Sequence, residues 1–181
     1  MVMAEATNHY FKHLGVSDGL SQVCIPSIYQ DELGAVWLGT TEGLNRYNGK
    51  DVKVFQPSES NHGLTNNEIN ELCGDKNGRM YIRSGNDLIK LDIYTEQFTC
   101  LRQKGVYGLF CKKDTLWVSC ADGIYYYTGQ GTELTFFARV QKGFVGRALY
   151  VDKETVWVVT RKYLVAISRE DPLRQEILLT L

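Results

Sequence analysis

The chain has 181 residues, 44% hydrophobic and 23% charged, which is the usual balance of a globular protein with one domain and a sizeable core. Twenty Lys and Arg face 21 Asp and Glu, and this balance argues against nucleic acid as a partner, because backbone binding needs a concentrated positive surface. No apolar run approaches the roughly 18–20 residues that span a bilayer, and the first ten residues lack the pattern of a signal peptide, so we expect no membrane insertion by this segment.

In chain order, one pattern of short apolar runs and polar turns occurs four times. Each repeat has an apolar run, a polar turn with an acidic residue, a run that contains an aromatic residue, a second polar turn and two further apolar runs. The aromatic residues are 44, 36 and 40 residues apart: Trp37, Tyr81, Trp117 and Trp157. Because the runs are rich in Val, Ile, Tyr and Phe and the turns in Gly, Asn and Asp, each repeat is predicted to hold four short strands.

A repeat of about 40 residues with four antiparallel strands is typical of a β-propeller blade, whereas solenoid repeats are usually shorter or helical. No window of the sequence shows a convincing helical stripe. We therefore predict an all-β fold, a β-propeller of about four four-stranded antiparallel blades. Residues 1–181 would form a single domain, with blades at roughly 22–57, 67–102, 105–140 and 146–181.

An extra outer strand is predicted at 9–14, where HYFKHL resembles the last strand of a blade. The chain would then hold five outer strands but only four sets of inner strands. The simplest explanation is a partial propeller. We expect its end blades to expose apolar faces, which favour a homodimer or the remaining blades of a longer chain.

The tryptophans are interpreted as apolar plates between neighbouring blades, because a lone sheet cannot bury both of its faces. This predicts that Trp37, Trp117 and Trp157 are covered by the following blade, which disfavours the alternative that they stack on a sugar. Gly34 and Gly78 are predicted to take a positive φ in the turn between the first two strands.

The first repeat, QDELGAVWLGTTEGLNRYNGKDVKVFQ at 30–56, and the lead-in to the second, HGLTNNEINELCGDKNG at 62–78, carry a family resemblance. They resemble the two-component-regulator propeller repeat, which has an acidic turn, Gly, Trp, a Gly-Thr pair and then Gly-Leu and an aromatic residue. The matching residues are Asp31, Gly34, Trp37, Gly39, Thr40, Gly43, Leu44, Arg46 and Tyr47, and in the lead-in Gly63, Leu64, Thr65, Asn67 and Ile69. The second repeat departs from this pattern at Tyr81, and the last two repeats match it mainly in phase.

The resemblance implies a non-catalytic sensory or ligand-binding module. In that family such repeats form the periplasmic sensor of hybrid two-component systems of Bacteroidetes, whose ligands are usually oligosaccharides and which signal as homodimers. The chain itself would then not be an enzyme, although the parent protein would be a histidine kinase. Periplasmic residence follows from the resemblance alone.

Little in the sequence points to catalysis. There is no GxSxG, HExxH, P-loop or dinucleotide-binding fingerprint. The three histidines are His9 and His13 in the predicted N-terminal strand and His62 in a polar loop, and solvation or packing is the favoured interpretation of each. Two alternatives stay open: a propeller lyase, which would need a histidine and carboxylates around a metal, and a protein-interaction scaffold.

The five cysteines cannot all pair within one chain, and none lies in a CxxC motif or near a histidine at metal-ligand spacing. They are Cys24, Cys73, Cys100, Cys111 and Cys120. We interpret them as buried structural thiols, with a redox or metal role as the alternative, and expect no metal site and no cofactor.

A ligand, if one binds, is expected at the face formed by the loops between blades and by the turns between second and third strands. Arg and Asn side chains supply the directional donors and acceptors that sugar hydroxyls need. The candidate ligand-binding residues there are Asn66, Asn67, Arg83, Asn86, Arg147 and Arg161. Ordinary solvation of a loop is the alternative for each, and no catalytic residue is predicted.

Overall fold

Four antiparallel sheets of four strands build the protein, in a computed structural model that describes residues 13–57, 63–140 and 145–180. Within these ranges the side chains of Val145, Arg147 and Ala148 are not described. One 3₁₀ turn at Val16–Asp18 is the only regular element of the described residues that is not a strand. The predicted all-β class and the four four-stranded blades are confirmed.

Each sheet is a meander in which strands that follow one another in the chain pair side by side. Blade 1 contains β1 Ser27–Gln30, β2 Val36–Thr40, β3 Gly43–Tyr47 and β4 Val52–Phe55. Blade 2 contains β5 Ile69–Gly74, β6 Arg79–Ser84, β7 Asp87–Asp92 and β8 Gln97–Arg102. Blade 3 contains β9 Val106–Lys112, β10 Thr115–Cys120, β11 Gly123–Tyr127 and β12 Thr135–Ala138. Blade 4 contains β13 Val145–Val151, β14 Thr155–Thr160, β15 Tyr163–Ser168 and β16 Gln175–Thr180.

The blades stack in chain order through their first strands. β1 packs on β5, β5 on β9 and β9 on β13, so every blade contacts the next along this inner edge. No comparable contact joins blade 4 to blade 1 within the ranges that the structure describes. The four blades therefore form an open arc, as in a partial propeller.

Aromatic plates fill the junctions between blades. Trp37 is fully buried in a cluster that includes Leu72 and Ile82 of blade 2. Trp117 lies in a second cluster with Val158 of blade 4. The predicted role of Trp37 and Trp117 is thereby confirmed, and burial of such a ring stabilises a junction by several kcal/mol, about 3–5 kcal/mol by the effect of truncation.

The other two repeats vary this arrangement. Tyr81, which replaces tryptophan in blade 2, is fully buried against Val118 of blade 3. Trp157 is only half-buried, because no described blade follows blade 4. The prediction of a covering blade is thus not met for Trp157 by the part of the chain that the structure describes.

Glycines allow the turns and the close approach of blades. Gly34 and Gly78 have φ of 86° and 82°, as predicted for the turn between the first two strands. A Cβ at Gly39 would lie 2.8 Å from Cγ2 of Ile69, the first residue of β5. Only a residue without a side chain therefore lets blade 2 approach β2 so closely.

The predicted extra strand at 9–14 falls mostly outside the described residues. His13 and Leu14 are described, and neither belongs to a strand. His9 and His62 also lie outside the described residues.

Candidate functional site

The loop face, defined here as the ends of the blades that carry the inter-blade segments and the turns between second and third strands, has a fixed backbone. The amide of Gly43 in blade 1 donates to the carbonyl oxygen of Asn67 at 2.8 Å. The amide of Val106 in blade 3 donates to the carbonyl oxygen of Asn86 at 3.0 Å. These bonds join each inter-blade segment to a turn of a neighbouring blade. Asn67 and Asn86, which are exposed, therefore lie on a backbone that is held in place.

Hydroxyl groups at the last position of the second strands also hold this backbone in place. The Oγ of Ser84 donates to the carbonyl oxygen of Asn66 at 2.8 Å and accepts the Asn66 amide at 3.0 Å. In blade 1 the Oγ1 of Thr40 donates to the carbonyl oxygen of Gly43 at 2.8 Å and lies 2.9 Å from the Oγ of Ser21. Small hydroxyl side chains suit these positions because one hydroxyl can donate one hydrogen bond and accept another.

Arg83 is held inside the loop face rather than on it. Its side chain is nearly buried, and its Nη1 donates to Oδ1 of Asn70 at 3.0 Å and to the carbonyl oxygen of Gly85 at 3.1 Å. Its Nε lies 3.4 Å from Oε2 of Glu71, which also accepts the amide of Leu109 in blade 3 at 3.1 Å. Arg83 therefore helps to join blades 2 and 3.

Burial is the largest influence on Glu71 and raises the pKa of its carboxyl above the ordinary value. The charge of Arg83 and the hydrogen bonds from Leu109 and Arg83 oppose this effect without cancelling it. A half-buried carboxylate with one cationic partner thus lies at the inner edge of the loop face, where a ligand could compete for Arg83 only at the cost of isolating Glu71.

Two further polar residues reach this face through β-bulges. In β5 the extra, unpaired residue is Asn70, and in β9 it is Tyr107. A bulge turns a side chain away from the regular alternation of a strand. Both residues are half-exposed, but the side-chain amide of Asn70 is already bonded to Arg83 and Glu68, so Tyr107 is the stronger additional ligand contact. The sequence alone did not identify them, because an alternating pattern assigns every residue of a strand to one of two faces.

The structure places four of the six predicted residues in one region and separates the other two. Asn66, Asn67, Arg83 and Asn86 lie in blade 2 and its lead-in, whereas Arg147 and Arg161 belong to blade 4. Asn66, Asn67, Asn86 and Arg161 are exposed, and the side chain of Arg147 lies outside what the structure describes. The Oδ1 of Asn66 accepts a hydrogen bond from the amide of Glu68 at 2.9 Å, so Asn66 has fewer side-chain hydrogen bonds left for a ligand than Asn67 has.

A cavity of about 330 Å³ lies at the opposite end of the blades, between blades 3 and 4. It is lined by Thr115, Trp117, Tyr126, Thr128, Phe137 and Arg169. The guanidinium of Arg169 lies 5.5 Å from the Trp117 ring and donates to the carbonyl oxygens of Asp152 and Lys153 at 3.0 and 2.9 Å. The cationic group is therefore already bonded within the protein, and the rest of the lining consists of three aromatic rings and the hydroxyls of two threonines and one tyrosine.

Neither a metal cluster nor a membrane span occurs among the residues that the structure describes. No group of three or more His, Cys, Asp or Glu there could hold a metal ion. No helix there is long and apolar enough to cross a membrane.

Part of the chain is similar in sequence to a known protein family. The model of the two component regulator propeller family matches residues 19–42, which comprise the lead-in to blade 1, β1 and β2. Histidine kinase P4 of Formosa agariphila is 40% identical over 53 residues, which cover 29% of this chain and 4% of that protein. The predicted resemblance of the first repeat to the two component regulator propeller is thus confirmed over residues 19–42.

Solved structures show the same fold. The extracellular domain of the putative hybrid two component system BT3049 from B. thetaiotaomicron superposes with a TM-score of 0.76 at 21% identity, covering 93% of this chain and 26% of that chain. The extracellular domain of BT4673 from the same organism gives a TM-score of 0.64 at 21% identity, covering 85% of this chain and 21% of that chain. This chain therefore spans only a small part of the length of the proteins that it resembles.

Proposed function

We propose that this chain is a non-catalytic sensory module of a hybrid two-component signalling protein, and that it responds to oligosaccharides. The observation that carries the proposal is the first repeat, in which the family match at 19–42 coincides with a blade that has the buried Trp37 plate. The 40% identity to a histidine kinase over 53 residues supports the same assignment. The kinase activity would belong to the parent protein.

The proposed location is the periplasm. Two solved structures that the chain resembles are extracellular domains of two-component systems, and a module that samples external sugars has to lie outside the inner membrane. The proposed location rests on the proposed sensory function, and evidence against that function would also remove the argument for the periplasm.

The loop face supplies the chemistry that an oligosaccharide requires. Sugar hydroxyls are recognised by side chains that both donate and accept hydrogen bonds, such as the amides of Asn67 and Asn86. The exposed guanidinium of Arg161 would add a donor for a ring oxygen or a uronate carboxylate. Because the backbone beneath Asn67 and Asn86 is clipped to neighbouring turns, little ordering entropy opposes binding.

We propose that the partner is a second copy of the chain or further blades. The outward face of blade 4 carries Trp157 beside Ala166, and Leu164 beside Leu179. Leu179 is 53% exposed, and no described residue covers this face. An apolar sheet face of this kind is buried in a stable protein by another sheet. Light scattering of the purified protein measures its mass in solution: a dimer supports a second copy, whereas a monomer leaves the face to further blades.

Binding to an array of neutral and acidic oligosaccharides tests the proposed function, with hits measured by calorimetry on the intact extracytoplasmic region. Asn67→Ala and Asn86→Ala are each expected to weaken binding about 10-fold, the equivalent of one to two hydrogen bonds, and Arg161→Ala is expected to do the same for an oligosaccharide long enough to reach blade 4. Arg83→Ala is expected to lower stability as well, because it isolates Glu71.

Lys153→Ala is the matched control for Arg161→Ala, because Lys153 is an exposed cation of the same blade at the opposite end. It is expected to leave affinity unchanged. An array without any oligosaccharide hit, or a hit whose affinity none of the three loop-face variants lowers, would reject oligosaccharide sensing at this face.

A further inference from the structure

Cys73 and Cys111 are brought together between blades 2 and 3. Their Sγ atoms lie 2.6 Å apart, although 38 residues separate them in the chain. Cys73 is the fifth residue of β5 and Cys111 the sixth of β9, the two inner strands that pack on each other at this junction. Both residues are half-buried. The contact is thus made by tertiary packing of neighbouring blades and not by local sequence.

The same register position is filled differently at the preceding junction. Tyr29, Cys73 and Phe110 pair with the plate residues of blades 1, 2 and 3 and therefore occupy equivalent positions. At the junction of blades 1 and 2, Tyr29 lies so close to Gly74 that a Cβ there would be 2.2 Å from the phenol oxygen. A ring against a glycine fills the space at that junction, whereas two thiols face each other at the next.

We propose that Cys73 and Cys111 form a disulfide that ties blade 2 to blade 3. The bond forms by thiol–disulfide exchange with a disulfide oxidant, such as oxidised glutathione or a disulfide-donating oxidoreductase. One thiolate attacks the oxidant and releases its first thiol, and the second cysteine loses its proton, attacks the mixed disulfide and releases the second thiol. The two cysteines give up two protons and two electrons, and the oxidant becomes two thiols.

The surroundings of the pair favour a stable bond over a reactive thiol. Burial is the largest cause that raises the pKa of the Cys73 thiol well above its ordinary value, and the neighbouring Cys111 adds to it. Cys73 therefore stays protonated at neutral pH, and a protonated thiol reacts slowly with added thiol reagents. Secreted and periplasmic proteins keep such pairs oxidised. The inference uses the proposed location only as a natural source of oxidant and does not depend on a ligand.

Peptide mapping identifies the bond directly, because trypsin releases each of the five cysteines on a separate peptide. The sequence places Cys73 on residues 54–76 and Cys111 on residues 105–112. The protein, in a Cys24→Ser background that removes the exposed thiol, is incubated folded with oxidised glutathione. We expect an intact mass lower by two hydrogens and a linked peptide pair 54–76 with 105–112 that disappears on reduction.

The disulfide is also expected to raise the Tm of the oxidised protein over that of the reduced protein by about 5–10 °C, because it closes a long loop of the unfolded chain. Cys73→Ser and Cys111→Ser should each abolish both the linked peptide and this difference. Cys100→Ser is the matched control and should preserve both.

A link that forms only in denaturant, or a link between any other pair of cysteines, would overturn the proposal. So would an oxidised protein that carries only glutathione adducts. None of these outcomes bears on oligosaccharide binding, which the array measures separately.

Discussion

The carboxylate of Asp31 accepts a hydrogen bond of 2.7 Å from the indole N–H of Trp37. Its other oxygen accepts the backbone amides of Leu33 and Ala35 at 3.0 and 2.9 Å. Asp31 is nearly buried, so one side chain both closes the hairpin turn and fixes the plate that blade 2 packs against. The acidic turn and the tryptophan of the repeat are thus two halves of one structure.

Asp31→Ala is expected to destabilise the protein by about 1–3 kcal/mol, because it leaves the buried donors of the turn and of Trp37 without an acceptor. The free energy of unfolding in urea measures this loss. Asp51→Ala is the control, since Asp51 is exposed and its carboxylate has no hydrogen bond among the described residues. Equal losses in the two variants would contradict the assigned role of Asp31.

Gly39→Ala is expected to cost about 1–3 kcal/mol, because the added methyl group would overlap Ile69 and push blade 2 away from blade 1. Thermal unfolding of the variant reports this loss. Gly15→Ala is a matched control, because its nearest neighbour would be 3.8 Å away and its φ of −131° is ordinary for alanine. If Gly39→Ala unfolds at the same temperature as the unsubstituted protein, a methyl group at residue 39 does not disturb the junction between blades 1 and 2.

Trp117→Ala is expected to destabilise the protein by about 3–5 kcal/mol, the usual cost of removing a buried ring. Trp157→Ala should cost clearly less in a monomer, because Trp157 is only half-buried. Urea unfolding at several protein concentrations compares the two. A Trp157 loss that matches the Trp117 loss and grows with concentration would indicate that a second copy covers blade 4.

The carboxyl of Asp152 is expected to titrate below its ordinary pKa of about 3.9, chiefly because it accepts a hydrogen bond from the Trp157 indole N–H at 2.8 Å. The backbone amides of Glu154 and Thr155 add to this effect. Because the folded-state pKa is lowered, the group stabilises the fold above the ordinary value and loses this contribution as the pH falls through the lowered one.

Carboxyl ¹³C NMR of the titrating protein measures this pKa, and Trp157→Phe should move it up towards the ordinary value while the ring position stays filled. Trp37→Phe, in another blade, should leave it unchanged. An Asp152 pKa that Trp157→Phe does not raise would show that the backbone amides alone hold the carboxylate.

Blade 2 shows how far a repeat can be predicted from its sequence. Asp75 keeps the turn, but it forms an ion pair with Arg79, and the phenol oxygen of Tyr81 is buried without a described partner. The pattern identified Asp75 and Tyr81 as the equivalents of an acid and a plate. It did not predict that Arg79 would take the place of the indole N–H, because that depends on side-chain reach within a folded hairpin.

The candidate site, like blade 2, was predicted only in part from the sequence. Residue type and loop position were enough to nominate Asn67 and Asn86, which the structure leaves exposed on a rigid backbone. The same criteria nominated Arg83, which is 7% exposed and bonded within the protein. Burial of a charged side chain depends on a partner from another strand, here Glu71, and a linear pattern carries no information about that partner.

The sequence by itself determined the four sheets, the plates and the glycine turns, because each depends on spacing within about 40 residues and on local backbone preference. Only the tertiary structure decided which blade faces which, and therefore that Cys73 meets Cys111 and that Leu109 contacts Glu71. Those contacts depend on the rotation of one sheet against the next. That rotation follows from the packing of whole faces around residues such as Tyr81, and no single segment encodes it.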